Sequence, residues 1–124
     1  MRILIRIFFI FLLVSASFSD TEKGSATFYS NAFNGRRTSS GEVFSNDLLT
    51  AAHKSIAFGR MVKVTNSKND SVVILKINDR LPKSSSHVVD VTLAAAKKLN
   101  FVRNGSAPVT IEVLSEKNED TKMH

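Results

Sequence analysis

The chain has 124 residues, 17 Lys and Arg against 11 Asp and Glu, and neither Cys nor Trp. That length predicts one small domain rather than a multidomain enzyme, and without Cys there are no disulfides, no Cys-type zinc site and no cysteine to carry a lipid anchor. The positive charge is dispersed rather than gathered into a basic stripe with interleaved aromatics, which argues against nucleic-acid binding and suits weak attraction to an anionic polymer such as a cell wall.

Arg2 and Arg6 flank the start of an apolar run, Ile7 to Val14, which leads into Ser15-Ala16-Ser17-Phe18-Ser19. A positive start, a short apolar middle and small residues at its end predict a secretory signal over residues 1–19, cut after Ser19 or, as the second choice, after Ser17. The run is too short to span a bilayer comfortably, since a transmembrane helix needs roughly 20 apolar residues. The expectation is export to the periplasm or beyond, without lipidation or stable membrane insertion. Without the leader the chain keeps 15 basic and 11 acidic residues, a net charge of +4. Asp20 to Lys23 is polar and reads as a soft start. Composition bounds the domain at residues 24–114 and leaves 115–124 as a flexible tail.

Within the domain a period of two dominates. Ser25 to Tyr29 reads as a first strand. Asn34 to Phe44 is loop-like, rich in Gly, Ser and Arg. Leu48 to Lys54 reads as a helical turn. Met61 to Thr65 alternates, Asn66 to Asp70 supplies turn residues, and Ser71 to Ile77 is a β-branched strand, so the three segments predict a hairpin with a longer loop. Val88 to Val91 is a short strand. Thr92 can cap a helix over Leu93 to Leu99, with basic residues at the end that the helix dipole favours. Val109 to Leu114 alternates and closes the domain. Short strands, one helix and long irregular connections predict a small β-barrel.

The candidates for chemistry are Glu42 in the Gly- and Ser-rich loop, His53 among small and apolar residues, and Asp79 where the Ser71–Ile77 strand runs out. Asp90, inside an apolar strand, is expected to be structural, and His87 to be a substrate-side or solvent residue. There is no nucleophile elbow, no phosphate loop and no closely spaced His pair. The set therefore predicts acid–base work by carboxylates, with no metal and no cofactor.

Gly24-Ser-Ala-Thr-Phe-Tyr29, Asn34-Gly-Arg-Arg-Thr38, Ser40-Gly-Glu-Val-Phe44, Leu49-Thr-Ala-Ala-His53, Val62-Lys-Val-Thr-Asn66, Ile77-Asn-Asp-Arg80 and Val89-Asp-Val-Thr92 occur in that order. This ordered set resembles the core domain of the rare lipoprotein A family, the bacterial septal lytic transglycosylases. The resemblance implies a mainly β fold, a six-stranded double-psi β-barrel with one or two short helices. It implies cleavage of peptide-stripped peptidoglycan glycan strands to leave 1,6-anhydro-N-acetylmuramyl ends; the chain itself is expected to be a monomer. It places the functional acids and His on Glu42, His53 and Asp79, expected to share one open groove. Asp79 is expected to act first as acid and then as base, with an upward-shifted pKa. Tyr29 and Phe44 would pack on sugar faces, and Arg37, Thr38, Asn78 and Arg80 would contact the strand. Two positions depart from the family pattern: Ser45 stands where an acid is common, and Leu81 replaces a glycine. The alternative is a non-catalytic, expansin-like glycan-binding module using the same groove.

Overall fold

Alternating burial builds the barrel wall. In β3 (Met61–Asn66) the side chains of Val62, Val64 and Asn66 are buried, and in β4 (Val72–Arg80) those of Val73, Leu75 and Ile77. The two strands pair antiparallel across the loop 67–71, as their period of two predicts. The computed structural model describes residues 20–115; the expected signal segment and residues 116–124 of the expected tail lie outside the described residues.

Four more strands complete the wall: β1 (Thr21–Phe28), β2 (Thr50–His53), β5 (Val89–Val91) and β6 (Ala107–Val113). They close in the order β1-β5-β2-β4-β3-β6. β1 with β5 and β2 with β4 are parallel; the other four pairings are antiparallel. The interior is filled by Val62, Val64, Leu75, Ile77, Val89, Val91 and Ile111, with Leu99 and Phe101 packed onto the same core. Gly24 of β1 is a packing requirement, because a Cβ there would sit 2.4 Å from Val88 Cγ1.

The single α-helix among the described residues, α1 (Leu93–Lys98), begins where expected: the Thr92 hydroxyl accepts from the Ala95 N–H. At its other end the Leu99 carbonyl accepts from Asn66 Nδ2, Asn69 Nδ2 and Ser71 Oγ, which ties the helix to the β3–β4 turn. No helix among the described residues is long and apolar enough to cross a membrane.

Three expectations are corrected. β1 starts at Thr21 rather than Ser25, because Thr21 to Lys23 pair with Glu112 to Thr110 of β6, and backbone pairing does not require apolar side chains. Residues 50–53, read as part of a helical turn, form β2. The helix preference of Ala51 and Ala52 is a few tenths of a kcal/mol per residue; it yields to ladders with β4 on one side and β5 on the other, where all four residues of β2 are buried. Finally, β4 does not end at Ile77 but continues through Asn78, Asp79 and Arg80.

Candidate active site

Asn78 decides where Asp79 goes. In the parallel pairing of β2 with β4, Ala51 lies opposite Ile77, but Ala52 lies opposite Asp79 and His53 opposite Arg80. Asn78 is the extra residue of a β-bulge. With strict alternation Asp79 would share the inward phase of Ile77; the bulge re-aims it to the outer face, as bulges do. Asn78 itself is buried and donates from Nδ2 to Glu42 Oε1 at 3.0 Å.

On the outer face both oxygens of Asp79 are engaged. Oδ2 accepts from the Tyr29 hydroxyl at 2.6 Å, and Oδ1 accepts from the backbone N–H of Ser39 and of Arg80, each at 2.9 Å. Burial pushes the carboxyl upward, the direction expected from apolar neighbours. The donors, Tyr29 first and then Ser39 and Arg80, outweigh burial and hold it below the usual carboxylate range. Asp79 is therefore an ionised carboxylate in the resting protein, which corrects the expected upward shift. The Tyr29 phenol is pushed far up, by burial first and then by its bond to Asp79, so it remains a donor.

The Tyr29 ring stacks at 4.3 Å on the buried Phe44 and meets Phe33 edge-on at 5.7 Å. With Arg36, Arg37, Thr38 and Asp79 these rings line a cleft of about 180 Å³. Phe44 backs the wall; Phe33, 42% exposed, is the ring at its mouth, with the Arg36 guanidinium 5.3 Å from its centre. Phe33 and Arg36 were not among the expected contacts. A short 3-10 turn, Asn31–Phe33, sets them there, with the Ser30 side chain accepting from the Ala32 N–H.

Residues 35–44 fold back on themselves. Thr38 N–H donates to the Glu42 carbonyl at 2.8 Å, Phe44 N–H to the Arg36 carbonyl at 2.7 Å, and Arg37 to the Gly41 carbonyl at 2.8 Å. Gly41, at φ +95°, supplies the left-handed residue of this turn. The turn delivers Ser39 N–H to Asp79 and Glu42 to the flank of β4. There Lys76 Nζ lies 2.8 Å from Glu42 Oε2, and this bond, then that of Asn78, lowers the Glu42 pKa. Asn46 anchors the base of the loop. Its amide donates to the Tyr29 carbonyl and to Asn31 Oδ1, and its Oδ1 accepts from the Leu93 N–H. Asn46 sits in a turn-like Ser-Asn-Asp run, and nothing local in the sequence marks it as a junction.

His53 does not join Asp79. It lies opposite Val89 of β5, in the inward phase, and its side chain is 5% exposed. Nδ1 accepts from the N–H groups of Ser55 and Ile56, each at 3.0 Å, so the ring proton belongs on Nε2, 2.7 Å from Glu22 Oε1. The hollow beside it is lined by Glu22, Ser55, Ile56, Ile111 and Val113, none of which lines the Asp79 cleft. Arg80 follows His53: it donates to the carbonyls of His53 and Ile56 and lies 4.2 Å over the Phe58 ring. Both residues brace the 53–58 turn, which corrects the expectation that His53 shares the groove. Of the three expected functional residues only Asp79 lines the cleft; Glu42 is held beside it by Lys76 and Asn78, and His53 lies in a separate hollow. Leu81, in place of the family's glycine, is buried with its N–H on the His53 carbonyl.

Asp90, expected to be structural, is held by its neighbours on the outer side of the wall. It lies opposite Thr27 of β1 and Ala52 of β2, and Ala52 lies opposite Asp79, so the row Thr27–Asp90–Ala52–Asp79 shares one face of the sheet. The Asp90 side chain is 24% exposed rather than enclosed, and its Oδ1 meets both the Thr27 hydroxyl and His87 Nε2, the latter at 2.9 Å.

A closed six-stranded wall with two parallel pairs and a polar cleft on its outer face defines a double-psi β-barrel protein. An apo expansin from Clavibacter michiganensis shares the fold, with a TM-score of 0.64 at 21% identity, covering 78% of this chain and 52% of that one. The family described as "Lytic transglycolase" matches residues 21–111, and the chain belongs to it. It is 46% identical over 92 residues to the endolytic peptidoglycan transglycosylase RlpA of Neisseria meningitidis, covering 74% of this chain and 38% of that protein. It is 42% identical over 103 residues to a probable endolytic peptidoglycan transglycosylase RlpA of Nostoc, covering 82% of this chain and 28% of that protein. The chain thus spans well under half the length of these relatives.

Proposed function

We propose that this domain is an endolytic lytic transglycosylase of the cell wall, exported and acting on peptide-stripped peptidoglycan strands. The observation that carries the reading is Asp79: an ionised carboxylate aimed by a bulge into an open cleft, with Tyr29 on one oxygen and cationic and aromatic side chains around it. The relative in Neisseria meningitidis, an endolytic peptidoglycan transglycosylase, supports it. The bond between N-acetylmuramic acid and N-acetylglucosamine breaks with positive charge building on the muramyl ring, which a fixed negative charge stabilises. The muramyl C6 hydroxyl attacks C1, and the Asp79 carboxylate accepts the hydroxyl proton as the new bond forms. The product is a 1,6-anhydromuramyl end. Arg36 and Arg37 at the mouth are suited to the lactyl carboxylate that a stripped strand exposes. Glu42, held by Lys76 and Asn78, fixes the loop that delivers Ser39 to Asp79. His53 and Arg80 are positioning residues in this account.

One observation favours the non-cutting alternative. Asp79 and Glu42 are both held ionised by protein donors, an arrangement that serves a binding groove equally well. Digestion of purified, peptide-free sacculi separates the readings. Release of anhydromuramyl products supports the enzyme; glycan that is bound but intact supports the module.

A further inference from the structure

The end of α1 carries a second hollow, well away from the cleft. Lys97, Asn100, Val102, Arg103 and Asn104 line about 450 Å³ of open space, within the span of roughly 300–1,000 Å³ common for small-ligand sites. None of them lines the Asp79 cleft. The hollow follows Leu99, whose carbonyl is bonded to the turn that leads into β4. Asp79 stands seven residues further along that strand than Val72, about 20 Å at roughly 3.3 Å per residue. The two openings therefore lie toward opposite ends of β4.

Backbone bonds fix the loop that shapes the hollow. Asn100 takes a left-handed conformation at φ +57° and Gly105 another at φ +82°. The N–H groups of Asn100 and Phe101 donate to the carbonyls of Lys97 and Ala96, and Gly105 N–H donates to the Phe101 carbonyl. The last helical carbonyls are thus served by backbone and by the β3–β4 turn. Lys97 also favours the helix dipole, but Arg103 lies past the helix, where that effect has faded. Neither cation forms an ion pair among the described residues, and no acidic side chain lines the hollow.

We propose that this hollow is a second wall-binding site, which takes the carboxylate-bearing stem peptide of an unstripped peptidoglycan strand. Peptide as the ligand rests on the reading of the domain as a cell-wall enzyme. A guanidinium meets a carboxylate with two parallel N–H donors, and an ammonium adds a point charge. The Asn100 and Asn104 side chains each offer donors and an acceptor. That set suits a peptide, which presents N–H and C=O groups beside its carboxylates; an ionised phosphate presents acceptors alone. Val102, 37% exposed, supplies an apolar contact for an alanine methyl group. Seated there, a peptide-bearing strand holds the domain while the distant cleft takes a stripped neighbour. Lys97 and Arg103 are both exposed, so the attraction weakens as salt rises.

The test gives the whole chain two probes: soluble stem peptides released from sacculi by an amidase, and peptide-free sacculi. Lys97→Gln combined with Arg103→Gln should weaken binding of the peptides at least about fivefold in a chemical-shift titration. The same variant should sediment with peptide-free sacculi and release anhydromuramyl ends as wild type does, because neither residue lines the cleft. If the double variant melts below wild type, Arg103→Lys takes its place, with an expected loss of about threefold from the missing two-pronged contact. Peptide binding that these changes leave untouched, or no peptide binding by wild type, overturns the proposal. Equal weakening toward inorganic polyphosphate and toward the peptides shows a general attraction to anions and overturns it as well. A wild-type chain that binds the peptides yet releases no anhydromuramyl ends defeats the lytic reading and leaves the second site standing.

Discussion

Asp79 and His53 stand one residue apart in register at the ends of paired strands, and the barrel uses them in opposite ways. Ala52 pairs with Asp79 and His53 with Arg80, so the two side chains fall on opposite faces of one sheet. Asp79 receives Tyr29, Ser39 and Arg80 and opens onto a cleft of about 180 Å³. His53 is buried, accepts two backbone N–H groups and reaches Glu22. Two residues that both look catalytic are thus divided by geometry. The outer carboxylate is held in an open cleft, and the inner imidazole organises a turn. The divider is the bulge at Asn78.

The bulge is the most direct place to break this contrast. Inserting one alanine between Ala51 and Ala52 gives Asn78 a partner and restores strict alternation, so Asp79 should fall in phase with Ile77 and carry an unpaired charge toward the interior. The expected cost is more than about 3 kcal/mol of stability, read by denaturant unfolding. An insertion variant that unfolds at the wild-type midpoint would show that the bulge does not set the facing of Asp79.

A smaller change sharpens the other side. His53→Ala leaves the N–H groups of Ser55 and Ile56 without their acceptor and Glu22 without its partner. It should cost about 2 kcal/mol by the same measurement, while turnover per folded molecule falls by no more than about threefold. A His53→Ala protein that is as stable as wild type yet inactive would return His53 to the chemistry.

The smallest expected effect is on acid stability. The Asp79 pKa is lower in the folded protein than the usual unfolded value of about 3.9. Its contribution is therefore full above that unfolded value and is lost as pH falls through the lower folded one. Melting temperature measured from pH 5 down to pH 2 should fall less steeply for Asp79→Asn than for wild type. Identical slopes would mean that the three donors do not favour the ionised form.

Much of this was legible in the chain. The alternation of β3 and β4 and the Thr92 cap state their structures locally, because burial on one face and a single side-chain acceptor are encoded within a few residues. β2 was not legible: Thr50-Ala51-Ala52-His53 forms a strand only because two distant strands flank it. The facing of Asp79 was hidden for the same reason, since a bulge is a property of two paired strands and one strand's sequence does not reveal it. The pKa direction of Asp79 depended on donors 50 and 40 residues away in the chain, Tyr29 and Ser39. Phe33 and Arg36 lay within a loop whose fold-back carries no periodic signal, so its exposed ring and cation could not be picked out. Asp90 reads as structural because it is flanked by valines, and its partners Thr27 and His87 fit that reading; that it faces outward follows only from its register with Ala52.

The central claim is that the carboxylate of Asp79 performs chemistry on glycan. The measurement that tests it most directly is mass spectrometric counting of 1,6-anhydromuramyl ends released from peptide-free sacculi by wild type and by Asp79→Asn, alongside sedimentation of each protein with the same sacculi. The account predicts that the variant co-sediments as wild type does and releases ends at least 100-fold more slowly. Ends released at the wild-type rate by Asp79→Asn would contradict it.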